Sequence, residues 1–141
     1  MARLTLTEDW SIELPDDFRA RPADGALHLA GTGPRTIWAS IHTPPPTRAP
    51  EALLDEILQD AHQSPEQRFR EQGSDAYEIR YATWYPDNGR WTLNAFTIRR
   101  ASYIQLAVLT DSPTDLAWSL ETWRSLRYTS TPAPKGLLRP A

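Results

Sequence analysis

Three histidines, His28, His42 and His62, are the side chains of this 141-residue chain best suited to acid–base or metal chemistry. His28 and His42 fall in neighbouring expected strands and would approach each other there, so a two-histidine metal site is the first reading to weigh. No carboxylate stands at a helpful spacing on either strand, which leaves a divalent cation short of ligands, and no metal is expected. His62 falls near the end of an expected helix, where the negative end of the dipole favours a cationic side chain. Asp16-Asp17 follow Pro15 in a loop, and turn formation accounts for them. Gly31-Thr32-Gly33-Pro34 lacks a following lysine and a strand-to-helix context, so it reads as a turn and not a phosphate cradle. The chain has no cysteine, which excludes a disulfide framework, a thiolate zinc site and a cysteine nucleophile. Metalloprotease, nucleophile-elbow and nucleotide-loop motifs are also absent from the sequence. The expectation is a protein that is not an enzyme and needs no cofactor.

Composition agrees with a globular binding protein. Hydrophobic residues make up 40% and charged residues 23%, with a net charge of −3 and both signs interspersed. That balance gives no basic footprint for nucleic acid and no polybasic anchor for lipid. The opening "MARLTLTEDW" carries no apolar run before its acidic residues, and no segment has the length of a membrane span. A cytoplasmic protein without membrane insertion is expected. One domain over residues 1–128 follows, long enough to bury roughly two-thirds of its unfolded surface. Residues 129–141, rich in proline and without periodicity, read as a flexible tail.

The elements follow from period and punctuation. "WSIELP" alternates Trp10, Ile12 and Leu14 with Ser11 and Glu13, a half-buried strand ended by Pro15. "DDFRARPADGA" reads as polar and turn-rich, with Asp24-Gly25 as its turn signal. "LHLAG" and "RTIWASIHT" form a hairpin pair, with Ile37, Ala39 and Ile41 alternating with Trp38, Ser40 and His42. A proline run then stiffens the link to a helix whose apolar positions are Leu53, Leu54, Ile57, Leu58 and Ala61. Ser64-Pro65-Glu66-Gln67, with Gly73 beyond, predicts a second short helix. Residues 76–110 read as a three-stranded meander, and Ser112-Pro113-Thr114-Asp115 opens a last helix with the stripe Leu116, Leu120 and Trp123. "SLRY" adds an edge strand.

With Asn88-Gly89 as a two-residue hairpin turn, Trp84 faces Leu93, Tyr81 faces Phe96 and Ile79 faces Ile98. With Arg100-Ala101 as the next turn, Ala95 meets Leu106, Leu93 meets Val108 and Ile98 meets Tyr103. One face of the meander then carries Ala82, Trp84, Trp91, Leu93, Ala95, Ile104, Leu106 and Val108, suited to packing under helices. The other carries Tyr77, Ile79, Tyr81, Phe96, Ile98 and Tyr103 among polar groups, and Trp38 extends it. Aromatic rings with polar tips are what protein interfaces enrich. Two readings of this second face stand: the chain's own hairpin, helix or tail covers it, or it holds a protein partner. The candidate partner-binding residues are Tyr77, Tyr81, Phe96, Ile98, Tyr103 and Trp38.

The element order, the opening Trp10-x-Ile12-x-Leu14-Pro15 with Phe18 soon after, and the closing Ser125-Leu126-Arg127 strand resemble the PsbP-like and DcrB-like superfamily. The resemblance covers about residues 4–128. It implies an α+β sandwich, an antiparallel sheet of about six strands packed with two or three helices. It also implies a non-enzymatic adaptor or chaperone-like role, with a hydrophobic or helical segment of a protein as partner. In chain length and element order the sequence further resembles the effector-associated chaperones of bacterial type VI secretion, which implies a homodimer. The alternative is a small-molecule or lipid carrier with a pocket between sheet and helix.

Overall fold

The computed structural model describes residues 1–45, 47–60, 68–74 and 77–129. Ten strands and two α-helices run in the order β1 (Ala2–Thr5), β2 (Trp10–Leu14), β3 (Arg19–Ala23), β4 (Ala26–Ala30), β5 (Thr36–His42), α1 (Pro50–Asp60), β6 (Phe69–Ser74), β7 (Ile79–Asp87), β8 (Arg90–Ile98), β9 (Tyr103–Thr110), α2 (Leu116–Arg124) and β10 (Arg127–Tyr128). They form two antiparallel sheets: seven strands in the order β3-β4-β5-β9-β8-β7-β6, and three in the order β1-β2-β10. The α+β class and the antiparallel pairing agree with expectation. The sheet of about six strands becomes ten strands in two sheets, because β2 pairs with β1 on one side and with the closing "RY" strand on the other, away from the meander.

Two further elements differ from the sequence reading. Residues 69–74, expected as the end of a second short helix, form β6 against β7, with Phe69 opposite Trp84. Pairing with the long β7 overrides the local capping signals; Ser64 to Gln67, which carried those signals, lie outside the described residues. "RARPA", read as part of a turn-rich stretch, is edge strand β3. Proline is tolerated there because an edge strand has one row of donors without a sheet partner. The expected tail, apart from Thr129, and the helix positions Ala61 and His62 also lie outside the described residues.

The meander registers agree pair by pair with those expected from the Asn88-Gly89 and Arg100-Ala101 turns. Asn88 (φ 51°) and Gly89 (φ 80°) are both left-handed, the backbone that a two-residue turn matching strand twist requires. Asp24 (φ 51°) and Gly25 (φ 78°) repeat this between β3 and β4. One face of the seven-stranded sheet makes the main core. Leu29, Ile37, Leu93, Ala95, Ile104, Leu106 and Val108 meet Trp10, Ile12 and Leu14 of β2 and Leu120 and Trp123 of α2. Two indole N–H groups stay satisfied in this core. Trp10 Nε1 donates to Ser102 Oγ and Trp123 Nε1 to Thr97 Oγ1, each at 2.9 Å. The helix begins as expected: Ser112 Oγ accepts from Thr114 N at 3.2 Å, Pro113–Asp115 make one 3₁₀ turn, and α2 follows.

Candidate partner-binding face

The opposite face of the seven-stranded sheet divides in two. At one end α1 lies across it. Pro50 occupies the first helical position and Glu51 the first turn, and the helix turns Leu53, Leu54, Ile57 and Leu58 toward the strands. These four side chains close over Ile79, Tyr81, Phe96, Ile98 and Tyr103 as a second, smaller apolar cluster. Tyr81 is 4% exposed, Phe96 8% and Ile98 fully buried. Three of the six candidate binding residues are therefore held under the chain's own helix, and Tyr103 is half-buried at its margin, its ring stacked on His42 at 4.8 Å.

At the other end no described element covers the sheet. One row of cross-strand neighbours runs Arg21, His28, Trp38, Ala107, Asn94, Thr83 and Arg70 from edge to edge, all half-buried or exposed. The Trp38 and His28 rings lie 4.5 Å apart, tilted by 37°. Asn94 and Gln105 tie two central strands together, with Gln105 Nε2 donating to Asn94 Oδ1 at 2.9 Å. Tyr85 shares the face, and burial together with the Asp87 carboxylate pushes its phenol pKa up, so it stays a hydrogen-bond donor. The sixth candidate, Tyr77, precedes β7 and is 75% exposed.

The charge on this face is one-sided. Strand periodicity places Arg19, Arg21 and Arg70 on it, and the acidic strand residue that shares it is Asp87 at a hairpin tip, opposite Arg90. Other strand carboxylates point elsewhere: Glu13 pairs with Arg3, and Glu71 pairs with Arg124 of α2. Near the β3 end a recess of about 290 Å³ is lined by Arg19, Arg21, His28 and Ala30. Arg19 Nη1 donates to the carbonyls of Asp16 and Phe18, both at 2.8 Å, which fixes its guanidinium. Asp17 is engaged separately, its Oδ2 accepting from Thr32 N and Thr32 Oγ1, each at 2.8 Å. Those two bonds hold the Asp17 carboxyl below the usual carboxylate range.

The histidines do not converge. His28 sits opposite Trp38, and His42 lies four residues further along the same partner strand, about 13 Å away. Among the described residues no group of three or more His, Asp or Glu is arranged to hold a metal ion. The sequence pattern does not single out Arg19 and Arg21, because "RARPA" lies in a stretch that reads as turn-rich. The signal was the Asp24-Gly25 hairpin, which fixes Arg21 opposite His28.

No family model and no curated protein matches the chain. Among solved structures it is similar to cyanobacterial PsbP (CyanoP) from Synechocystis sp. PCC 6803, with a TM-score of 0.69 over 91% of this chain and 92% of that one, at 15% identity. The fold is PsbP-like. At that identity the likeness speaks for the fold alone. No described helix is long and apolar enough to cross a membrane.

Proposed function

We propose that this is a non-enzymatic protein-binding module that seats a partner segment on the open half of its seven-stranded sheet, with Trp38 as the anchoring ring. The observation that carries the reading is the unequal covering of the two faces. One is sealed by α2 and a whole second sheet, while on the other the described residues supply one helix and leave Trp38, His28 and Tyr85 in reach of solvent. Tyr103 stands at the border, and Tyr81, Phe96 and Ile98 join the surface when α1 lifts. The sharper form is a cytoplasmic chaperone of the type VI effector-associated kind or a DcrB-like adaptor, acting as a homodimer; element order supports it. Site-specific photocrosslinking in the native host tests the reading. A benzoylphenylalanine at position 38 should trap one protein, and the same group at exposed Ala117 on α2 should not. Equal patterns at both positions would reject it.

A carrier role has one observation in its favour, a recess of about 310 Å³ lined by Leu6, Thr7, Pro22, Leu27, Ala39 and Ile41. It lies between the β1–β2 loop and β3–β5, not under α1. Native mass spectrometry that finds a stoichiometric small molecule, displaced by Leu27→Trp, would favour this reading.

A further inference from the structure

We propose that Arg19, Arg21 and His28 form a carboxylate-binding subsite at the β3 end of the open face, and that the segment seated there is an acidic peptide of the Glu-x-Glu kind. The inference rests on the protein-binding reading above and specifies the chemistry of the partner. Arg19 and Arg21 are alternate residues of one strand, so their side chains leave the same face about 6.6 Å apart. An extended peptide repeats its own side chains on one face at that interval, which matches one carboxylate to each guanidinium. Guanidinium groups take carboxylates through two parallel N–H donors, and Arg19 is already oriented by the two carbonyls that hold it. Arg21 has no hydrogen bond or ion pair among the described residues, so its donors face solvent. His28 stands directly opposite Arg21 with its ring 4.5 Å from that of Trp38, and the row thus passes from charged to aromatic over two strand spacings.

Charge complementarity also selects the class of partner. The whole chain is acidic at −3, and α1, beside the open face, exposes Glu51 and Asp55. Nucleic acid or an anionic bilayer would bring dense negative charge against those carboxylates as well as to the arginines. A short segment delivers one or two carboxylates to the recess and avoids that repulsion. Pro22 in the middle of β3 leaves no N–H at that point of the sheet edge, which disfavours strand addition there and leaves the face as the docking surface.

The test uses the full chain and fluorescein-labelled 12-residue peptides with alternate Glu and Leu or Tyr, compared with Gln and Lys in place of Glu, read by fluorescence anisotropy. The Glu peptides should bind at least tenfold tighter than the Gln set. Arg21→Glu should remove that preference and favour the Lys set, and Arg19→Gln should weaken Glu binding by several-fold. Trp38→Ala should weaken all sets that bind. A preference for Glu that survives Arg21→Glu overturns the subsite, and loss of peptide binding in Trp38→Ala alone would then leave the protein-binding reading standing. Absence of Trp38-dependent binding by any set counts against both. Inorganic phosphate or phosphatidylserine vesicles that bind in an Arg21-dependent manner while the peptides do not would assign the recess to another anion and overturn the proposal. Circular dichroism at matched temperature confirms the fold, and Arg21→Gln replaces the charge reversal if that variant is unfolded.

Discussion

Leu54→Ala should release α1 from the sheet without unfolding the domain. Leu54 is 6% exposed and sits with Leu53, Ile57 and Leu58 over Tyr81, Phe96 and Ile98, a cluster separated from the main core by the sheet itself. A buried Leu→Ala change costs roughly 2–5 kcal/mol, and the lower end applies here because a single surface helix can settle toward the gap. An 11-residue helix is too short to persist alone, so the loss falls on the helix-to-sheet equilibrium. About 2–3 kcal/mol corresponds to roughly 30- to 150-fold faster hydrogen exchange over residues 50–60. Exchange in β5, β8 and β9 should stay unchanged, because Leu93, Ile104, Leu106 and Val108 are held from the other side. Mass spectrometry of the exchanged peptides reads both. Equal acceleration in the helix and in β8–β9 would refute the reasoning. It would mean that the two clusters unfold as one unit and that Tyr81 and Phe96 reach solvent only when the domain unfolds.

Other expectations follow from single groups. Gly89→Ala and Gly25→Ala should each cost about 1 kcal/mol in urea denaturation, since both keep positive φ and a Cβ there meets open space, so the penalty is backbone alone; Gly33→Ala, unhindered and at no such φ, should be neutral. Gly31→Ala should cost more than Gly33→Ala, because its Cβ would lie 2.5 Å from Asp17 Oδ2 and drive the carboxylate from Thr32. The folded-state pKa of Asp17 lies below its ordinary value of 3.8. The stability it contributes is therefore fully present above that ordinary value and lost as pH falls through the folded value. The advantage of the natural protein over Asp17→Asn, measured by urea titration, should be flat from pH 7 to pH 5 and shrink only on further acidification. Trp123→Phe should destabilise more than Trp10→Phe. It deprives buried Thr97 Oγ1 of its donor, whereas Ser102 still donates to the His42 carbonyl at 3.2 Å; thermal melts of the two variants decide.

The parts of the fold legible in the sequence were those fixed by short-range geometry. Asn88-Gly89 admits one turn type, that turn sets the β7–β8 register, and alternation then assigns every side chain to a face. The same logic at Asp24-Gly25 sets Ala23 opposite Ala26 and Arg21 opposite His28. The strand does not stand out because proline and alanine are depleted in strands, although an exposed edge tolerates both. Strand β6 was not legible at all. In "FREQGS" only Phe69 is apolar, so its pairing is dictated by β7 and not by its own pattern. Nor could periodicity separate the two sheets, since Trp10, Ile12 and Leu14 have the same alternation whether they pair with the meander or pack over it.

The site is incompletely legible for a related reason. Pattern assigned Tyr81, Phe96 and Ile98 to the same face as Trp38, but it could not say how far one helix extends over that face. Geometry supplies the limit. Seven strands at about 4.8 Å spacing make a sheet about 29 Å wide, and 11 helical residues extend only about 16 Å. A single α1 therefore cannot cover the sheet, and its four inward side chains seal the region around β7 and β8. The main-core face solves the same problem with α2 and three additional strands. On the other face the described residues leave open the row from Arg21 to Arg70, and on its β3–β5 part the sequence has placed arginine, histidine and tryptophan instead of leucine and valine. A strand surface that served only to stay in water would carry charges of both signs interspersed. That this one carries arginines of one sign, one of them with a fixed guanidinium, beside histidine and tryptophan rings in contact is the reason to look for its ligand there.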